Sequence, residues 1–244
     1  MTVAFDAASG RLRIDQLRFD RFLAWANGDT SPGPDLDELR QAGAIFQDDI
    51  HPVLAPSMRV VAEYLCQLRI DLIDDHGDEK SGDGWISPEG AVLLLDLPDG
   101  MRQLHAMPAE MLPAAIARVT RLGPRPVPGA ESLHLTRDVF EGLLAAKPED
   151  RQLAADRLAL DTAEAALTEL VARLVAGPWR RWTVSVAWYT PQGEPASRNL
   201  QVLDTDRGMC LCEVSGVNAA LLPTNATGVW RRLTALLPDD VEGA

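Results

Sequence analysis

The chain has 244 residues, is 46% hydrophobic and carries a net charge of −13 with a pI near 4.7. That length supports one sizeable core or two coupled ones. The charge repels phosphate backbones and anionic headgroups, which argues against nucleic acid or a membrane surface as partner. No apolar run approaches the ~18 residues of a spanning helix, and the opening residues lack the charged-then-apolar pattern of a secretory signal.

In chain order, Leu12 and Ile14 flank Arg13 as a short alternating strand, and Asp15 caps a helix through Phe19, Phe22 and Leu23 to about Trp25. GDTSPGP (28–34) is a turn cluster, and Asp35 with Glu38 reads as a capping box opening a helix that Gly43 ends. A further helix starts at Pro52 and runs through Leu54, Met58 and Val61. Two strands follow, QLRIDLID with Leu68, Ile70 and Leu72 on one face, and GAVLLLDL. Between them DDHGDEKSGDGWISPEG reads as the polar, glycine-rich tip of a hairpin. Asp99-Gly100 turns the chain into MRQLHAM, and Pro108 opens a helix with Leu112, Ile116 and Val119 at helical spacing. GPRPVPG (123–129) stops it and reads as a linker.

The plan then recurs. LRIDQLRFDRFLA (12–24) matches LHLTRDVFEGLLA (133–145) at an offset of 121, so that Leu12 falls on Leu133, Ile14 on Leu135 and Phe19 on Phe140. LDLPDGM (95–101) also aligns with LDTDRGM (203–209). Thr136 caps a second helix, Arg151 to Ala176 predicts one long helix, and Trp182, Val184, Val186 and Trp188 line one face of a strand. NLQVLDT and MCLCEV form a hairpin, and a last helix runs from about Asn225 to Leu237. The expected fold is α+β, internally duplicated about a pseudo-twofold, with an antiparallel sheet and flanking helices. Residues 1–123 form the first repeat, 124–130 the linker and 131–244 the second repeat, packed as one globule.

The chemistry-bearing residues are sparse. Phosphate-binding glycine loops, HExxH and GxSxG are absent. Cys66, Cys210 and Cys212 lack CxxC spacing and read as buried thiols in a reducing cytoplasm. The acidic group Asp74, Asp75, Asp78, Glu79 and Asp83 with His76 departs from calcium-loop register, so a solvated tip is expected and no metal. His51, His105 and His134 are scattered, and Asn225-Ala226-Thr227 reads as helix-start chemistry rather than a glycosylation site. Asp96 and Asp204 each precede a turn, where a carboxylate bonds the following backbone. Serving as a catalytic pair with His105 would require all three in one pocket. Four of the six tryptophans (Trp179, Trp182, Trp188, Trp230) fall in the last third, as core or as an aromatic wall for a protein partner.

Several stretches together resemble the EspG-like chaperones of actinobacterial type VII (ESX) secretion: LRIDQLRFDRFLAW, ELRQAGAIFQDDIHPVLAP, the strands around LCQLRIDLID and GAVLLLD, RVTRLGPRPVPG with SLHLTRDVFEGLLA, and VLDTDRGMCLCEV with WRRLTALLP. They span nearly the whole chain. Met209 and Cys210 stand where the family pattern has an arginine–aromatic pair, which marks a divergent member. The resemblance implies a duplicated α+β architecture and a non-catalytic cytosolic chaperone, without cofactor, that binds a helical PE–PPE-like secretion substrate in an apolar groove. By topology it implies partner contacts at Asp74, Asp75, His76, Asp78, Glu79 and Trp85, and at Trp230, Leu233 and Leu237 of the last helix. Two other readings stay open: an enzyme or small-molecule binder with a pocket between the repeats, and a homodimeric structural protein.

Overall fold

A computed structural model describes residues 2–29, 33–126, 132–145, 147–161, 177–206 and 208–237. The first part runs β1 (Ala4–Asp6), β2 (Arg11–Ile14), α1 (Gln16–Ala26), α2 (Pro34–Gln41), the small hairpin β3 (Ile45–Phe46) and β4 (Asp49–Ile50), and α3 (Ala55–Ala62). A four-strand meander follows: β5 (Cys66–Asp74), β6 (Glu79–Ser87), β7 (Gly90–Asp96) and β8 (Arg102–Met107), then α4 (Leu112–Val119). The second part runs β9 (Leu133–Thr136), α5 (Arg137–Leu143), α6 (Pro148–Asp161), the meander β10 (Trp179–Tyr189), β11 (Pro195–Thr205), β12 (Gly208–Ser215) and β13 (Asn218–Thr224), and α7 (Ala226–Thr234). The helix predicted over 151–176 is described to Asp161; its remainder, like 127–130 of the predicted linker, lies outside the described residues.

Eleven strands make one antiparallel sheet, and β3–β4 stand apart. Its centre is the seam between β5 and β10, paired from Asp74–Arg180 to Cys66–Trp188. Outward from the seam the order is β5, β6, β7, β8, β2 on one side and β10, β11, β12, β13, β9 on the other; β1 extends only the first side. The registers correspond as well. The two-residue hairpins Ser87–Gly90 and Thr205–Gly208 both start the next strand on a positive-φ glycine, at 143° and 154°. Laying one hairpin on the other carries the Arg69–Asp83 pair onto Thr183–Gln201, Asp96–Arg102 onto Val214–Ala219, and Leu12–Leu104 onto Leu133–Leu221. Leu12 therefore meets Leu133, as in the sequence match at 121. The second match does not correspond: LDLPDGM lies on the β7–β8 turn and LDTDRGM on the β11–β12 turn, one hairpin nearer the seam.

Local chemistry explains the element ends. The Asp15 carboxylate accepts from the Arg18 N–H at 3.0 Å, the Thr136 hydroxyl from Val139 at 3.4 Å and the Asn225 amide oxygen from Gly228 at 2.9 Å. The capping box at Asp35 is not formed. Gly33 occupies the cap position of α2 without a side-chain bond, and Glu38 instead accepts from Arg18 at 2.7 Å, tying α2 to α1. Helix α3 begins at Ala55, three residues after the predicted start.

Five strands were not read from the sequence: the short β1, β3 and β4, and the longer β6 and β13. The predicted long polar tip is mostly β6, because its glycines serve packing rather than turning. A Cβ on Gly84 would lie 2.8 Å from Leu93 Cδ2 and 3.1 Å from Leu68 Cδ2, and one on Gly82 would lie 2.5 Å from Leu95 Cδ2. Gly84→Ala overpacks this contact, and chemical denaturation is expected to show a loss of about 1–3 kcal/mol. Strand β13 was hidden by Pro223. That proline is tolerated because β9 pairs only with Asn218 to Leu221, leaving Pro223 on an open edge.

The sheet divides three cores. One face of the central strands, with Leu68, Ile70, Trp182, Val184 and Val186, packs beneath α4 and α7 through Ile116, Val229 and Leu233. On the opposite face, α1, α2 and α3 bury Phe19, Phe22, Leu39 and Met58 against β2, β7 and β8. There too α5 and α6 bury Phe140, Leu143 and Leu158 against β11–β13. Strand alternation sends polar side chains from β5 and β10 into the space between these two outer groups.

Candidate functional site: an open trough on the central sheet

The floor of this trough consists of cross-strand rows. Asp83, Arg69, Ser185 and Asn199 form one row; Ser81, Asp71, Thr183 and Gln201 form the next. Two adjoining hollows of about 530 and 860 Å³ share Arg69, Glu79, Lys80, Ser81 and Asp96. Gln16, at the start of α1, lines one hollow, and Glu141 of α5 lines the other and pairs with Arg181 of β10 at 2.9 Å. The helical groups on either side are therefore its walls. At one end of the floor stand the exposed Leu65 and Tyr189, 49% and 75% accessible.

An ionic chain runs from the first wall onto the floor. Arg102, 8% exposed, lies 2.9 Å from both Asp96 and Asp83; Asp83 is 2.8 Å from Arg69; Arg69 is 2.9 Å from Asp71. Arg102 also donates to the Leu94 carbonyl at 3.0 Å, and its Nε faces Asp96 off the N–H direction, as an ion pair rather than a directed hydrogen bond. Asp96 accepts from the Ser81 N–H at 2.7 Å and its hydroxyl at 2.8 Å. Sequence reading missed Arg102. The available signal was an arginine in an apolar strand two residues past the Asp99-Gly100 turn.

The predicted contact residues do not converge. Asp74 organises the tip: its carboxylate accepts from the His76 and Asp78 N–H groups at 3.0 and 3.1 Å, and Gly77 takes a φ of 81°. The tip is only Asp75 to Asp78 and is held to the second half, since the Asp75 N–H donates to the Trp179 carbonyl at 3.2 Å and the Asp75 carbonyl accepts from Arg151 at 2.9 Å. Asp78 and Glu79 line the trough, while His76 is exposed. Trp85, at 9% exposure, is a core residue 5.7 Å from the Phe19 ring. Leu233 and Leu237 are buried against the sheet at 1% and 6%. Helical spacing could not separate the core side of α7 from an outward side. Only Trp230 of the three α7-region residues is exposed, at 40%, and its helix lies on the sheet face opposite the trough.

Asp96, Asp204 and His105 are also apart. Asp204 is not a turn aspartate. It is 4% exposed and held by Arg180 at 2.6 Å and by Arg125 at 3.0 Å, which fixes residues after α4 to β11. His105 lies mid-β8 with its ring still open to solvent, where partial desolvation, then Arg11 and Arg118, lower its pKa from the ordinary 6.5. The fold thus favours the neutral ring. Its stabilisation is complete above about pH 6.5 and is lost as pH falls through the lowered folded-state pKa. His105→Gln is expected to flatten the decline in melting temperature between about pH 7 and about pH 5. Burial pushes Cys66 up to about 11 and, with Cys210 next in effect, raises Cys212 further, as befits structural thiols. No cluster of three metal-ligating side chains occurs among the described residues, and none of their helices is long and apolar enough to cross a membrane.

A broad antiparallel sheet carries helical groups at both ends of one face and a helix pair centred on the other. The chain matches the structure of Mycobacterium tuberculosis EspG5, described as a type VII secretion system chaperone in complex with a PE25–PPE41 dimer, with a TM-score of 0.64 and 11% identity. The match covers 93% of this chain and 97% of that one, so the architecture is shared end to end. No family model and no curated protein matches the sequence. The EspG-like resemblance is thus met in the fold by a chain of widely diverged sequence.

Proposed function

We propose that this protein is a non-catalytic cytoplasmic chaperone or adaptor that holds a helical secretion substrate across the trough. The observation that carries this is the open central floor between two helical walls, in a fold whose matched example is a chaperone bound to a PE25–PPE41 dimer. Separation of Asp96, Asp204 and His105 removes the constellation that the enzyme reading needed. The groove differs from the apolar one expected, because alternation places Arg69, Asp71, Thr183 and Gln201 on its floor; apolar surface is left to the Leu65–Tyr189 end and to Leu72, Ile73, Leu97 and Pro98 at the edges of the hollows. Asp74, Asp75, His76, Asp78 and Glu79 serve this function as a polar rim. The same proposal takes 1–123 and 131–244 as repeats joined through 124–130, in keeping with their matching strand registers.

Ser185 sits mid-floor on β10, and tryptophan there fills the trough without entering a core. Affinity capture from the native cytoplasm is expected to recover a helical protein in stoichiometric amount with the wild type. Ser185→Trp, at unchanged melting temperature, is expected to recover about tenfold less. Equal recovery by both would place the client elsewhere, and a doubled solution mass with no client would favour the homodimer.

A further inference from the structure

The register correspondence puts Ile70 and Val184, paired across the seam, on the axis that exchanges the two halves. A floor symmetric about that axis would accept a client in two opposed orientations with equal ease. The side chains break the equivalence. Arg69 and Asp83 of the first half correspond to Thr183 and Gln201, Asp71 and Ser81 to Ser185 and Asn199, and Asp96 and Arg102 to Val214 and Ala219. One half of the floor is ionic, and the other is neutral apart from Arg181, which Glu141 pairs.

The ionic half also carries the excess charge. Six carboxylates and four cations line the two hollows. Glu141 and Arg181, which pair with each other, are the second half's share; the remaining five carboxylates and three cations lie on β5 to β8. Arg69 and Arg102 are divided among Asp71, Asp83 and Asp96, so the first half offers negative potential in an ionic frame that is buried at Arg102 and open to solvent at Arg69 and Asp71.

We propose that the trough takes the end of a helical protein that presents lysine or arginine side chains, and that Asp71, Asp83 and Asp96 orient it with those cations over β5–β7. This rests on the chaperone reading above and adds client polarity and direction to it. A cation over the neutral half would forgo its partners, and an acidic tip over the ionic half would meet like charge, so one arrangement excludes both errors.

The test uses three synthetic two-helix hairpins identical except for two tip residues: lysine, glutamine or glutamate. By fluorescence anisotropy the lysine-tipped hairpin is expected to bind about tenfold tighter than the glutamine one, with glutamate weakest and the spread narrowing at high salt. The double variant Asp71→Asn, Asp83→Asn is expected to bring lysine and glutamine tips within about twofold. A photocrosslinker beside the tip is expected to label β5–β6 in the wild type. In the exchange variant Asp71→Ser, Asp83→Gln, Ser185→Asp, Gln201→Asp it is expected to label β10–β11. Equal binding of all three tips, abolished by Ser185→Trp, overturns the charge inference and leaves the chaperone reading standing. Binding indifferent to Ser185→Trp, or no binding by any hairpin, overturns both.

Discussion

Replacing Asp204 by alanine is expected to lower the melting temperature by roughly 6–20 °C, one of the two largest losses from a single polar residue here. Asp204 is 4% exposed and meets Arg180 at 2.6 Å and Arg125 at 3.0 Å. Removing one side of a buried ionic group leaves the other uncompensated, at a cost of about 3–5 kcal/mol. In a domain of this size each kcal/mol corresponds to about 2–4 °C. Arg125 and Arg180 are each more than a quarter exposed, so water relieves part of the penalty and places the loss toward the lower end. Calorimetry decides the matter: a shift under about 2 °C would mean that Asp204 anchors nothing. The expected consequence extends beyond stability, because Arg125 ties the described residues after α4 to β11.

Arg102→Met is the second large change. The arginine is 8% exposed and serves Asp83, Asp96 and the Leu94 carbonyl together. Methionine fills much of the volume but leaves two carboxylates and a carbonyl short of a partner. Asp83 keeps Arg69 and Asp96 keeps its two bonds from Ser81, so the expected cost is about 3 kcal/mol rather than the upper end of the range. A double-mutant cycle with Asp96→Asn is expected to show coupling above about 1 kcal/mol. Additivity of the two changes would show that the chain of charges is a set of independent pairs. Because Arg102 fixes Asp83, which fixes Arg69, the variant also loosens the trough floor while leaving the outer rim alone.

Much of the scaffold was legible because it depends on neighbours in sequence. Asp15, Thr136 and Asn225 cap helices through bonds three residues long, and the alternation of Trp182, Val184, Val186 and Trp188 fixes which face of β10 is buried. The match of Leu12 to Leu133 was visible for the same reason: each lies in a four-residue strand that leads directly into a capped helix. The candidate site was much less legible. Trp85, Leu233 and Leu237 have the residue types of a contact surface, yet their burial depends on Phe19 and on the sheet, both far away in sequence.

What the sequence determined by itself was therefore local: caps, alternation and the α+β class. Those follow from hydrogen bonds and periodicities that close within a few residues. Tertiary structure alone decided that Gly82 and Gly84 form a strand, that Asp204 is a buried anchor, and that the groove has a polar floor. In each case the deciding partner lies on another strand: Leu95 and Leu93 over the glycines, Arg180 beside Asp204, and Asp83 opposite Arg69. Side-chain volume and charge acquire their meaning only when the register across the sheet says what they face.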